Sequence, residues 1–473
     1  MRCVDVDDTI GMCVLELGAQ MKDLLTDTAT RSTRYLADIA ARRVAPQPED
    51  VARLASLGGP LPQFSTEPAE VLALLDEFGS PATVATTGGR YFGFVIGGTL
   101  PAALAANWLA GAWDQNAAFT AMSPVASKLE EIVLAWILEL LGLPPSSGAG
   151  FVTGTTMSHF AALAAARTAL LNRQGWNVEE DGLFGAPPIK VVVGEEAHVS
   201  LLKALAMLGL GRSRVVSVPS DGQGRMRPEA LPPLDAHTLL CMQAGNVNSG
   251  AFDPAHELCA LARQAGAWVH VDGAFGLWAA TSPRLSRHLR GVADADSWAI
   301  DCHKWLNVPY DSGIAVVREP EHLRAAFAAS AAYLQPGATR EPCHFTPESS
   351  RRARAIELWA ALRSLGRTGL RDLIERNCYF AAVFAEGLGR AGFDVLNDVV
   401  LNQVLVSFGS ASRTLRVVGE VQSDGTCWCG PTQWHGHTAM RISLSSWATT
   451  EDDVHRSLAA ILRIAGSPGA PVL

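Results

Sequence analysis

Short valine-rich runs alternate with alanine-rich helical patterns from about residue 100 to residue 320. "AGFVTGTT" leads into "SHFAALAAARTALL", and "IKVVVGEEA" leads into "HVSLLKALAMLG". "TLLCMQAG" precedes "PAHELCALARQAG", which ends on a glycine; "AWVHVDGA" follows at once, and later "SGIAVVRE". β-Branched runs suit strands covered on both faces, and a helix between two such runs carries the chain back to start the next. The pattern predicts an α/β fold with a mainly parallel central sheet flanked by helices. Residues 1–80 read as helices broken by "VAPQPED" and "LGGPLPQF". "SRRARAIELWAALRSLGRTGLRDLIERN" reads as a long helical stretch with an internal break. "FDVLNDVVLNQVLVSFG" and "AMRISLSSWAT" supply strands, and a terminal helix follows. The expected organisation is a helical segment over 1–80, a large α/β domain over 81–345 and a small α+β domain over 346–473. A chain of 473 residues is too long for one ordinary core, and no period of 20–50 residues points to a solenoid.

Composition narrows the function. A net charge of −9 with no lysine–arginine cluster argues against nucleic acid as a partner. The nine cysteines are scattered, as expected of reduced thiols in a cytoplasmic protein. Cys427-Trp428-Cys429, followed by His435 and His437, comes nearest to a metal pattern. It has no second cysteine pair beside it and reads as loop packing, so no metal is expected. "VLAWILELLGL" is apolar but short, with Lys128, Glu130 and Glu131 before it. It reads as a buried helix, and no membrane association is expected. The first residues have early acidic groups and no long apolar run, unlike a signal peptide.

Four polar groups stand at predicted strand ends, where ligands collect in open α/β sheets. Gly154-Thr155-Thr156 joins a strand to a helix, offering backbone N–H groups and two hydroxyls to an anion. His198 follows a strand and begins a helix; Asp272 ends one. Lys304 lies in "SWAIDCHKWLNVPYDSG" among apolar neighbours, in a chain where 33 of 38 basic residues are arginine. A lysine amine can lose its proton and attack a carbonyl, which a guanidinium cannot do. Taken singly, these groups read as well as a helix cap, a structural histidine and a buried salt bridge. In this order on one sheet they describe one ligand. It has a phosphate for Gly154-Thr155-Thr156, a ring for His198, a ring nitrogen for Asp272 and an aldehyde for Lys304. That ligand is pyridoxal 5'-phosphate.

The chain also resembles the group II amino-acid decarboxylases, a family of fold-type-I pyridoxal-phosphate enzymes that includes aromatic-amino-acid and glutamate decarboxylases. The resemblance runs from about residue 80 to 450 and rests on "YFGFVIGGTLPAALAANWLAGAWDQN", "HVDGAFG", "DCHKWLNVPYDSG" and "SRRARAIELWAALRSLGRTG". It implies decarboxylation of an L-amino acid to the amine and CO2 through an aldimine on Lys304. It implies that His198 stacks on the pyridine ring, that Asp272 keeps the ring nitrogen protonated and that Ala274 lies beneath the ring. Thr155, Thr156 and His303 would lie around the phosphate or the aldimine, and Asn246 would bond near the cofactor. Asp301 resembles the aspartate of the D-x-H-K motif of sphingosine-phosphate lyases. A homodimer with composite sites is implied as well. The chain departs from the pattern in "YLQPGATREPCHFTPESSRR": Pro342 and Cys343 stand where aromatic-amino-acid decarboxylases carry a proton-donating tyrosine. Tyr333, Cys343 and His344 are the candidate donors, with His344 favoured. The departure leaves a carbon–carbon lyase or an aldehyde-forming decarboxylase-oxidase as alternatives. A cofactor-binding protein without catalysis is argued against by intact Lys304, Asp272 and His198.

Overall fold

The computed structural model describes the backbone of residues 6–328 and 340–467. Seven strands form a central sheet: β1 (Gly148–Val152), β2 (Lys190–Gly194), β3 (Val216–Val218), β4 (Thr238–Gln243), β5 (Trp268–Asp272), β6 (Ser297–Asp301) and β7 (Gly313–Val317). Their order is β1-β7-β6-β5-β4-β2-β3. The pairs among β2 to β6 are parallel, whereas β7 runs antiparallel to both β6 and β1. The mainly parallel sheet expected from the sequence is therefore present, with one reversal. Residues 302–312 supply no crossover helix between β6 and β7. A connection that short can only turn the chain back antiparallel.

Valine and leucine alternate across the two faces. Val191, Val193, Leu239, Cys241 and Val317 join a core with the alanine-rich helix Thr155–Asn172. Val192, Leu240, Met242, Ile314 and Val316 join a second core on the other face. β1, β5, β6 and β7 are buried throughout, which is why their sequences read as apolar runs rather than as alternating patterns.

A second, antiparallel sheet is built from β8 (Asp394–Val395), β9 (Gln403–Ser407), β10 (Gly430–Trp434) and β11 (His437–Ser443), in the order β10-β11-β9-β8. The helix Ala355–Arg390 links the cores: Leu358 and Leu362 belong to that of the large sheet, Phe380 and Phe384 to that of the small one. It breaks at Gly366, whose φ of 59° suits glycine. Cys427 and Cys429 are fully buried in the small core. The segment around residue 92 crosses between the sheets. Phe92 donates its N–H to the Trp428 carbonyl at 2.9 Å and accepts from Ser443 N–H at 2.9 Å. Asn307, three residues after Lys304, donates to the Ser445 carbonyl at 2.9 Å. The carboxyl ends of β5 and β6 thus face the small sheet across a cleft. Among the described residues, no helix is long and apolar enough to cross a membrane.

Candidate active site

Asp301 ends β6 and organises one side of the cleft. Its carboxylate is 2% exposed and accepts the Thr155 N–H at 2.6 Å through Oδ1. Its Oδ2 lies 3.0 Å from Lys304 Nζ. Burial would push this carboxyl up, but Lys304, His303 and the Thr155 N–H outweigh it and hold it below its usual value. His303 accepts the Ser312 N–H on Nδ1 at 3.2 Å, which leaves the proton of the neutral ring on Nε2, 3.5 Å from Asp301 Oδ1. Burial lowers the His303 pKa and favours that neutral form. Gly154 is pressed against the same group: a Cβ there would stand 2.8 Å from His303 Cε1 and 3.2 Å from Asp301 Oδ1. Thr155 Oγ1 and Ser312 Oγ are buried without a hydrogen-bond partner. Thr156 follows in the first turn of the same helix, half-buried.

Asp272 ends β5 on the other side. Its Oδ1 accepts the Ala274 N–H at 3.2 Å, and the Ala274 carbonyl accepts the Asp301 N–H at 2.9 Å, tying the two strand ends together. His159 Nε2 lies 3.4 Å from Asp272 Oδ2. Burial opposes the charge on Asp272, but His159, His198 and Lys304 hold its pKa far below the carboxylate range. His198 caps the helix Val199–Met207, accepting the Ser200 N–H on Nδ1 at 3.3 Å. Burial keeps it neutral despite the pull of Asp272.

Gly154, Thr155, Asp301, His303 and Lys304 are thus in direct contact, and Asp272 and Ala274 join them through the β5–β6 edge. Asn246 is used differently. Its Oδ1 accepts from Asn248 N–H at 2.8 Å and Ser249 N–H at 3.1 Å, and its Nδ2 donates to Gln243. Its side chain closes its own turn rather than reaching the lysine cluster. The expected donors Cys343 and His344 lie in the turn Pro342–Phe345. Their turn packs along the middle of β1, where a Cβ on Gly150 would collide with the Phe345 carbonyl. Cys343 N–H bonds the Ala118 carbonyl at 3.0 Å, and burial pushes its thiol up. Tyr333 lies outside the described residues.

Three groups escaped sequence reasoning. The Tyr310 ring lies tilted by 30° against that of His303, with ring centres 4.3 Å apart. Arg441 on β11 is half-buried and makes only long contacts, 3.4 Å to the Val247 carbonyl and 3.5 Å to Asn248. His159 and His270 stand behind Asp272. Two signals were available for the histidines. His270 and Asp272 are two apart on a strand and share a face, and His159 is one helical turn beyond Thr155.

The family model for the pyridoxal-dependent decarboxylase conserved domain matches residues 82–409. The chain belongs to this family. It is a pyridoxal-phosphate-dependent amino-acid decarboxylase. The decarboxylase is 26% identical to an aromatic-L-amino-acid decarboxylase of Bacillus atrophaeus over 461 residues, 92% of each chain. It is 30% identical to an L-2,4-diaminobutyrate decarboxylase of Rhizobium meliloti over 387 residues, covering 76% of this chain and 74% of that one. Its fold matches that of Oryza sativa TDC, solved with PLP and tryptamine, with a TM-score of 0.87 and 21% identity over 98% of this chain and 99% of that one. A Rhodiola rosea 4-hydroxyphenylacetaldehyde synthase superposes with a TM-score of 0.83 and 22% identity, over 95% of this chain and 98% of that one.

The residues of the cleft fit the cofactor. Thr155 offers a buried hydroxyl without a partner at a helix start, as a phosphate requires. Asp272 offers a buried carboxylate held in its charged form, as a pyridinium nitrogen requires.

Proposed function

We propose that the enzyme decarboxylates an L-amino acid to its amine at the cleft between the two sheets, with Lys304 as the residue that holds the cofactor. The observation carrying this reading is the shared bonding of Asp301, whose two oxygens engage Lys304 Nζ and the N–H that opens the Thr155 helix. One carboxylate thereby sets the distance between the amine and the anion site. Pyridoxal phosphate, when bound, supplies a carbonyl that captures an amino group and a ring that takes up the electron pair left at Cα as CO2 departs. Gly154, Thr155 and Thr156 would hold its phosphate, His198 would cover one face of its ring and Ala274 the other. Asp272 would keep the ring nitrogen protonated. A water-poor site around the departing carboxylate would favour its loss. The assay is CO2 and amine release from a panel of amino acids.

Tyr310 is the better-placed source of the proton that Cα takes up. Although the residue is 56% exposed, desolvation first and then the charge of Asp301 raise its hydroxyl above the ordinary value, so it stays protonated near neutral pH. Its ring packs against that of His303, the residue before Lys304. Tyr310→Phe is expected to slow amine formation by about 10²-fold, the lower range for loss of a general acid. It should also divert part of the product to an aldehyde when dioxygen is present. Unchanged rate and product ratio would put the donor elsewhere. A wild type that releases aldehyde from the same panel would favour the carbon–carbon lyase or oxidative reading instead.

We also infer a homodimer in the cytoplasm. Among residues 20–113 the apolar side chains of Met21, Leu25, Leu61, Phe64, Trp108 and Trp113 are exposed, Leu61 by 93% and Phe64 by 79%. A second copy of the chain would cover such a surface. The seven described cysteines are all unpaired and buried, as in a reducing compartment. Sedimentation should give a dimer at micromolar concentration. A fully active monomer would contradict this inference.

A further inference from the structure

We propose that His159 is a positioning residue: with His270, Ser297 and Trp268 it forms a one-way chain of buried hydrogen bonds that aims an N–H at Asp272. The proposal rests on the reading that Asp272 serves the ring nitrogen of the cofactor, and it extends the machinery through four further side chains.

The direction follows from what each atom can do. Trp268 Nε1 can only donate, and it donates to Ser297 Oγ at 3.0 Å. The other partner of Ser297 Oγ is His270 Nδ1, at 2.8 Å. The serine proton therefore goes to His270 Nδ1, which must be bare. His270 then carries its hydrogen on Nε2, and Nε2 lies 2.9 Å from His159 Nδ1. His159 Nδ1 accepts, so its own hydrogen is on Nε2, the atom that faces Asp272 Oδ2 at 3.4 Å. That nitrogen is buried and makes no hydrogen bond of ordinary geometry; Asp272 Oδ2, at 3.4 Å, is the acceptor it faces. Reversing the chain would leave the serine proton without an acceptor. Making His270 doubly protonated is opposed by its complete burial, which lowers its pKa well below the ordinary histidine value.

All four side chains are buried, Ser297, His159 and His270 completely. This rigid line holds a second N–H within 3.4 Å of Asp272, beside the Ala274 N–H that the carboxylate accepts. A carboxylate that accepts two N–H groups holds a proton less tightly. The proton between Asp272 and the ring nitrogen therefore stays on the ring, and the ring remains an effective acceptor of electrons. His159 never touches substrate; its effect passes through Asp272.

The direct test is nuclear magnetic resonance of protein labelled with ¹⁵N-histidine, with and without pyridoxal phosphate. Both His159 and His270 should show hydrogen on Nε2 and a bare Nδ1. This reading does not depend on the cofactor, so its failure is distinct from failure of the Asp272 assignment, which Asp272→Asn tests. Ser297→Ala removes the group that orients His270 without touching Asp272. It should mix the His270 tautomers and weaken pyridoxal-phosphate binding by about threefold to tenfold, the span of one ordinary hydrogen bond. kcat should fall by a similar factor with KM for the amino acid unchanged. His159→Gln, which retains an N–H donor, should keep more cofactor affinity than His159→Phe. A hydrogen on Nδ1 of His159 in the wild type would overturn the proposal. So would folded Ser297→Ala protein with wild-type affinity and kcat, or equal losses in the two His159 variants.

Discussion

Lys304→Arg is expected to fold and to lose decarboxylation by ~10⁴-fold or more, on the scale seen when a covalent catalytic group is removed from other enzymes. The substitution separates charge from chemistry. Lys304 is 3.0 Å from Asp301, which is almost fully buried. A guanidinium keeps a positive charge beside that carboxylate, so the Asp301–Thr155 arrangement survives. It cannot lose its proton under ordinary conditions and cannot attack a carbonyl. Lys304→Ala would remove both features and leave Asp301 unpaired in the interior, which destabilises the strand end as well. Comparing thermal unfolding and CO2 release for the two variants distinguishes the roles. A Lys304→Arg enzyme within tenfold of wild type would show that another group holds the cofactor.

Asp272→Asn is the second large effect. Asparagine keeps the shape and can still accept the Ala274 N–H through its carbonyl oxygen. It carries no charge to favour a protonated ring nitrogen. Cofactor binding should persist while kcat falls by about 10⁴-fold, comparable to loss of a buried orienting carboxylate elsewhere. The surroundings explain the size of the expected effect. Burial alone would drive Asp272 towards its neutral acid, and the structure counters this with His159, His198 and Lys304. Activity near that of the wild type would mean that Asp272 serves some other group.

The sheet was readable because its inner strands are covered on both faces and therefore appear as apolar runs between helical patterns. The reversed strand β7 was less so. Its run looks like the others, and only the short connection after Lys304 gives away its direction. The strand-end residues Asp272 and Lys304 were readable because polar groups stand out at the end of an apolar run. Asn246 looked similar in the sequence, but whether its amide points outward or back into its own turn depends on the fold of residues 246–251. His159 lay inside a helix with buried residues on every side, so no amphipathic stripe marked it. Its partners Trp268, His270 and Ser297 come from two strands, and only their side-by-side pairing makes a line of them. Tyr310 follows Lys304 by six residues, and its position against His303 depends on the turn between β6 and β7. Cys343 and His344 were placed by the spacing of a loop, and the packing of their turn against β1 was not legible in that spacing.

The central claim is that Lys304, among five lysines, forms the covalent link to the cofactor. Borohydride reduction of the holoenzyme, followed by proteolysis and mass spectrometry, locates that link directly. The account predicts loss of the cofactor's visible absorption band and one pyridoxyl-modified peptide, carrying the label on Lys304. A label on Lys203, or on any lysine other than Lys304, would contradict it.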